Sequence, residues 1–217
     1  MSDEKITHSG MGEYASPPCF MHEFEPENGS EEGGGSARTD VLRWRRAERK
    51  RLIEQRLGLD AEERQAHSAR IAGRLDRVIG KTGNRIVSVY WPFRGEPDLR
   101  GWMIGRGARI ALPVVIKNGW PLEFRIWTPG DPLVRGVWNI LEPAHGPAVQ
   151  PDVVVAPVVG FDQAGYRLGY GGGFYDRTLA AMRRRPLIVG VGYAAGRLRT
   201  IYPQDHDIPM DIIVTEE

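Results

Sequence analysis

The stretch of this 217-residue chain richest in chemical potential is Gly165-Tyr-Arg-Leu-Gly-Tyr-Gly-Gly-Gly-Phe-Tyr-Asp-Arg177. Glycines let backbone N–H groups come close to an anion, and the N-terminus of a following helix adds a favourable dipole. Arg167 supplies a charge-assisted contact that suits phosphate. The stretch is not a Walker A loop, because no Gly-Lys-Ser/Thr follows. Nor is it a dinucleotide fingerprint: its glycines alternate at 169, 171 and 173, and no early βαβ unit surrounds it. A loop so rich in glycine also reads as a plain turn. The pairs Phe174-Tyr175 and Asp176-Arg177 at its exit weigh against that. Asp176 is placed as a Mg²⁺ ligand, since that ion combines a few carboxylates with phosphate oxygens.

A second charged feature lies upstream. Between Arg43 and Arg56 there are seven bases and two acids, a net +5 in a segment without Gly or Pro. Asp40 is a candidate N-cap for a helix over Val41 to Leu57, with Leu42, Leu52, Ile53 and Leu57 as its apolar stripe. The basic face is either solvated or directed at an anion. Residues 1–39 contrast with it: eight acids against Lys5 and Arg38 give −6, and Gly33-Gly-Gly-Ser36 reads as a spacer. This segment is expected to be a disordered or loosely packed arm. Within it Cys19, His22 and Glu23 suggest a docking peptide or part of a metal site, but three such residues fall short of the usual four ligands.

These residues need a scaffold. Asp60 with Glu63 makes a capping-box pattern, and Ile71, Leu75, Val78 and Ile79 follow at helical spacing until Gly80. Strand-like runs follow at Ile86–Trp91, Arg109–Val115 and Leu122–Trp127. Asp152–Ala156 and Leu187–Val191 are nearly all apolar, as strands buried on both faces are, and Asp211–Val214 closes the series. Helical patterns over 97–106 and 174–184 alternate with them. The prediction is one α/β domain over residues 40–217, a mostly parallel central sheet flanked by helices. With a net charge of +1 there is no overall basic field for nucleic acid, and no apolar run is long enough for a membrane span. A single cysteine and an N-terminus without an apolar core fit a cytoplasmic protein.

Phe161-Asp-Gln-Ala-Gly-Tyr-Arg-Leu-Gly-Tyr-Gly-Gly-Gly-Phe-Tyr-Asp-Arg177 resembles the signature of the 5-formyltetrahydrofolate cyclo-ligase family. Further landmarks arrive in the family's order: Val89-Tyr-Trp-Pro-Phe-Arg-Gly-Glu96, Ala111-Leu-Pro-Val-Val115, Leu122-Glu-Phe-Arg125, Gly136-Val-Trp-Asn-Ile-Leu-Glu-Pro143, His206-Asp207 and Val214-Thr-Glu216. The likeness spans about residues 41 to 217. It implies closure of 5-formyltetrahydrofolate to 5,10-methenyltetrahydrofolate with ATP as co-substrate and Mg²⁺ as cofactor. A monomer is expected, with neither nucleic acid nor membrane as partner.

The resemblance also distributes roles. Arg167 and Asp176 become the catalytic residues. Arg45, Arg49, Arg167, Gly169, Tyr170, Gly171, Gly172, Gly173 and Tyr175 become the ATP site, with Arg46 as the alternative to Arg45 where relatives carry lysine. Asp176 and Asp207 become the metal carboxylates, and Glu96, Trp138 and Phe174 the folate contacts. A folate- or nucleotide-binding paralogue without turnover is the competing expectation.

Overall fold

The structure is a computed structural model that describes residues 35–105 and 107–217, with side chains from residue 38 onward. Cys19, His22 and Glu23 lie outside the described residues. In chain order the elements are α1 (Gly35–Leu57), α2 (Ala61–Ile79), β1 (Ile86–Ser88), α3 (Arg100–Gly105), β2 (Arg109–Val114), β3 (Glu123–Ile126), β4 (Leu133–Arg135), β5 (Leu141–Pro143), β6 (Ala148–Val149), β7 (Val153–Pro157), β8 (Gly160–Phe161), β9 (Arg167–Leu168), α4 (Phe174–Ala181), β10 (Leu187–Val191) and β11 (Ile212–Val214).

Seven strands form the central sheet in the order β11-β10-β7-β1-β2-β3-β6. The run from β11 to β2 is parallel, and β3 and β6 close one edge antiparallel. The all-apolar runs fall where two-sided burial demands them. Successive strand residues point to opposite faces, so Val153 and Val155 join Ile71, Leu75 and Met103 under α2 and α3. Val154 and Ala156 join Leu179 of α4 on the other face. Helix α1 packs separately, with Leu52 and Ile53 against Val159, Leu168 and Ile201. Among the described residues no helix is long and apolar enough to cross a membrane.

Local signals explain the element ends. Asp60 accepts from the Glu63 N–H at 2.8 Å, the Glu63 side chain accepts from the Asp60 N–H, and Gly80 ends α2 at φ 62°. Asp60→Ala is therefore expected to cost about 1 kcal/mol in urea denaturation; an unchanged midpoint would remove the capping box from the account.

Helix α1 differs from expectation. It begins at Gly35, so Asp40 lies inside it and pairs with Arg43 at 3.1 Å instead of capping. The anticipated boundary at residue 40 thus falls within a helix. Leu42 and Leu57 are exposed, and the packed stripe narrows to Leu52 and Ile53. Strand β1 stops at Ser88, three residues before the expected Trp91. The chain turns there into the loop that Pro92 opens.

Candidate active site

In this sheet β1 is followed by β2 on one side, while the later strands β7, β10 and β11 lie on its other side. Reversal of this kind leaves a crevice at the carboxyl ends of the strands, the usual ligand position in open α/β sheets. A cavity of about 880 Å³, open mouth included, occupies that place, with Tyr90 beyond β1, Val115 beyond β2 and Pro157 ending β7 in its wall.

The glycine loop forms one side. Gly171 and Gly173 take φ of 100° and 61°, backbone angles that disfavour other residues. Gly173 caps α4 with no side-chain acceptor, which leaves first-turn N–H groups for an anion. A Cβ on Gly172 would stand 2.9 Å from the Phe174 ring, so the loop closes tightly on α4. Arg49 Nε donates to the Gly169 carbonyl at 2.6 Å, and Arg177 Nη2 to that of Gly172. Arg167, only 7% exposed, meets Asp176 Oδ1 at 2.9 Å, donates to the Ile208 carbonyl at 3.1 Å and lies over the Tyr175 ring.

Glu96 forms the opposite side. The Phe93 N–H donates to its Oε2 at 2.9 Å and the Tyr170 hydroxyl to its Oε1 at 3.0 Å. Burial pushes its carboxyl up to about 7, against the nearby Arg56 charge and the Phe93 and Tyr170 hydrogen bonds, which favour the ionised form. Burial also drives the Tyr170 and Tyr175 hydroxyls well above the usual range, so both stay protonated.

The third wall is aromatic. Trp138 sits in the turn of the β4–β5 hairpin and meets the Phe174 ring edge-on at 5.7 Å. Trp138 and Asn139 both take positive φ, 56° and 63°. Two such non-glycine residues in sequence are rare, and strain of this kind gathers at functional sites.

The cavity therefore brings together Glu96, Trp138, Arg167, Gly169, Tyr170, Gly172, Gly173, Phe174, Tyr175 and Asp176. Gly171 and Arg49 adjoin it through the glycine loop, where a Cβ on Gly171 would come 3.5 Å from the Arg49 guanidinium carbon. Burial, aided by the neighbouring Arg45 charge, brings Arg49 down to about 10. Two residues anticipated for the site point elsewhere. Arg45 is buried, donates to the carbonyls of Ile201 and Tyr202 and pairs with Asp207. Asp207 takes both that contact and the Gln204 N–H; these overcome the effect of burial and hold its carboxyl below the usual range. Arg46, the alternative to Arg45, is exposed.

Arg56 escaped the sequence reading. It is 5% exposed and donates to the Arg94 carbonyl and to the Tyr170 hydroxyl. Its spacing of seven from Arg49 puts both on one face of α1, but Arg45 and Arg46 share that relation to Arg49, so spacing alone does not single it out.

A mostly parallel α/β sheet with a glycine-rich loop and a carboxylate-bearing aromatic cavity at its switch point is an architecture suited to holding a nucleotide or another phosphate ligand. The profile of the 5-formyltetrahydrofolate cyclo-ligase family matches residues 41–216, and the chain belongs to that family. It is similar to the 5-formyltetrahydrofolate cyclo-ligase of Escherichia coli K12, 30% identical over 176 residues that cover 76% of this chain and 96% of the relative. The enzyme of the same name from Mycolicibacterium smegmatis is also 30% identical, over 76% of this chain and 89% of its own. Among solved structures, the 5,10-methenyltetrahydrofolate synthetase of Aquifex aeolicus superposes with a TM-score of 0.70 at 31% identity, over 80% of this chain and 90% of that one.

Proposed function

We propose that this chain closes 5-formyltetrahydrofolate to 5,10-methenyltetrahydrofolate at the expense of ATP. The observation that carries the reading is the single cavity joining the glycine loop to Glu96 and Trp138, in a chain of the cyclo-ligase family. A formamide oxygen is a poor leaving group. Transfer of the ATP γ-phosphoryl to that oxygen yields an iminium phosphate and ADP; N10 then attacks the formyl carbon and gives up its proton to water or to the departing phosphate, and the C–O bond breaks, releasing phosphate. Such chemistry needs positioning and charge neutralisation and no protein nucleophile.

The residues divide the work. The loop N–H groups from Gly169 to Gly173 and the α4 N-terminus cradle phosphate oxygens, with Arg167 and Arg49 neutralising charge. Glu96 accepts N–H donors of the folate, and Trp138 and Phe174 give its flat rings an aromatic wall to pack on. Tyr175, whose buried hydroxyl has no hydrogen-bond partner among the described residues, presents a donor to the reacting oxygens.

We place a magnesium ion beside Asp176, a carboxylate in the cavity wall and the third residue of α4, in its first turn. Among the described residues no three His, Cys, Asp or Glu side chains cluster as a metal cage, which suits an ion held chiefly by phosphate and water. When bound, the ion supplies charge to the phosphate oxygens. Asp207 is the second carboxylate assigned to the ion, and Arg45 holds it as Arg167 holds Asp176.

The test is direct. Protein, 5-formyltetrahydrofolate, Mg²⁺ and ATP are expected to generate methenyltetrahydrofolate absorbance that vanishes when ATP is omitted. Tight binding of both substrates with no product would instead favour a paralogue without turnover. Asp176→Ala is expected to lower turnover about a hundredfold or more, consistent with loss of a group on the transferring phosphate; near-normal rates would remove Asp176 from the metal site.

A further inference from the structure

Tyr170 belongs by sequence to the glycine loop, yet its hydroxyl faces the other half of the cavity. It donates to Glu96 Oε1 at 3.0 Å and accepts from Arg56 Nη2. Its ring lies 5.7 Å from that of Phe93, which precedes Glu96 in the same tight turn. Arg56 Nε holds the Arg94 carbonyl of that turn at 2.8 Å. Arg94 and Gly95 both take positive φ, 46° and 73°, so the backbone that presents Glu96 is bent into a costly shape and needs such a support. Arg56 and Glu96 are each 5% exposed. A buried carboxylate without charge compensation protonates, and Arg56 is the cation the fold delivers to it.

We propose that Arg56 and Tyr170 favour the ionised form of Glu96 against its burial and aim it at the folate, so that Tyr170 serves the folate side of the cavity and Arg56 is a positioning residue acting through it. The inference rests on the assignment of Glu96 to folate made above. Both groups favour the ionised carboxylate, Arg56 more strongly than Tyr170. The other titratable groups near Glu96 on neighbouring elements are the hydroxyls of Tyr90, Tyr175 and Tyr193; burial drives them upward, the Glu96 charge adds to this, and all three are neutral.

Two measurements test this. The first titrates the Glu96 carboxyl by carbon NMR in the free protein, its signal assigned with Glu96→Gln. Tyr170→Phe is expected to move the midpoint upward, and Arg56→Met further still. The second follows kcat/KM for 5-formyltetrahydrofolate against pH. In Tyr170→Phe the acidic limb is expected to move up in step, with about a tenfold loss on the acid side of the limb per unit of movement, recovery toward wild-type rates on its alkaline side, and the KM for ATP within about twofold, as for a mutation that spares uniform binding of that substrate. A merely structural role lowers the profile at every pH without moving its limb, and that result overturns the proposal. So does an NMR midpoint unchanged in Tyr170→Phe, the conservative variant that retains the ring and its packing. If the NMR midpoint moves while the kcat/KM limb stays, the network stands and it is Glu96's assignment to folate that fails.

Discussion

Arg167→Met is expected to reduce methenyltetrahydrofolate formation at least about a thousandfold, the range seen when a cationic group on a transferring phosphoryl is lost. Arg167 is positioned by its environment to an unusual degree. It is nearly buried, paired with Asp176 at 2.9 Å, tied to the Ile208 carbonyl and stacked over Tyr175. Methionine keeps the stem and removes every one of these contacts. Losing one partner of a buried pair costs about 3–5 kcal/mol, and the cost belongs near the lower end here because the Asp176 side chain is 17% exposed. Part of the activity loss could therefore come from unfolding. Arg167→Lys separates the two effects: it retains the charge beside Asp176 but not the planar fork. It is expected to unfold close to wild type in a thermal melt and still lose about a hundredfold in turnover, the scale of one preorganised donor. Wild-type rates in Arg167→Met, with ATP saturating, would remove this side chain from the phosphate site.

The parts of this molecule that were legible in the sequence are those specified locally. The capping box at Asp60 and Glu63 and the stop at Gly80 each depend on neighbours within a few residues, and they form as read. The runs around Val153–Ala156 and Leu187–Val191 announce two-sided burial through composition alone. The glycine loop is likewise a local object, a few bond rotations set by Gly171 and Gly173. What stayed hidden is set by partners far along the chain. Eight bases crowd α1, and their identity does not say which of them faces inward; Leu52 and Ile53 decide it by packing on Val159, Leu168 and Ile201. That rotation sends Arg45 to Asp207, Arg49 to Gly169 and Arg56 to Tyr170. The two-residue strands β6, β8 and β9 carry too few positions for alternation to register. The same limit concealed that Tyr170, read as a phosphate-loop residue, turns its hydroxyl toward Glu96.

Glu96→Gln is expected to make the protein more stable in alkaline solution while impairing folate binding. The Glu96 carboxyl lies at about 7 in the folded protein against an ordinary 4.5, raised by burial. Between these two values the folded chain holds a proton that the unfolded chain has already released. The unfolded state then binds fewer protons, so stability falls as pH rises through this window and levels off above about 7. The shift corresponds to roughly 3 kcal/mol. Glutamine is neutral throughout and still offers an acceptor to the Phe93 N–H or the Tyr170 hydroxyl, so its stability should be flat across the same range. Urea denaturation should show the two proteins converging on the acid side and the variant ahead by up to about 3 kcal/mol on the alkaline side. The gain is reduced by whatever Arg56 loses when its counter-charge disappears, a cost that also falls on the alkaline side, where the wild-type carboxylate is ionised. Parallel pH profiles for the two proteins would show that Glu96 is not strained by its burial. A buried carboxylate that weakens the fold and is nevertheless present is accounted for by its use, since N–H donors of a bound folate repay the ionised form in a way that water cannot reach. The variant should accordingly show a raised KM for 5-formyltetrahydrofolate with the KM for ATP little changed, which ties the instability of this position to the cavity half that Glu96 lines.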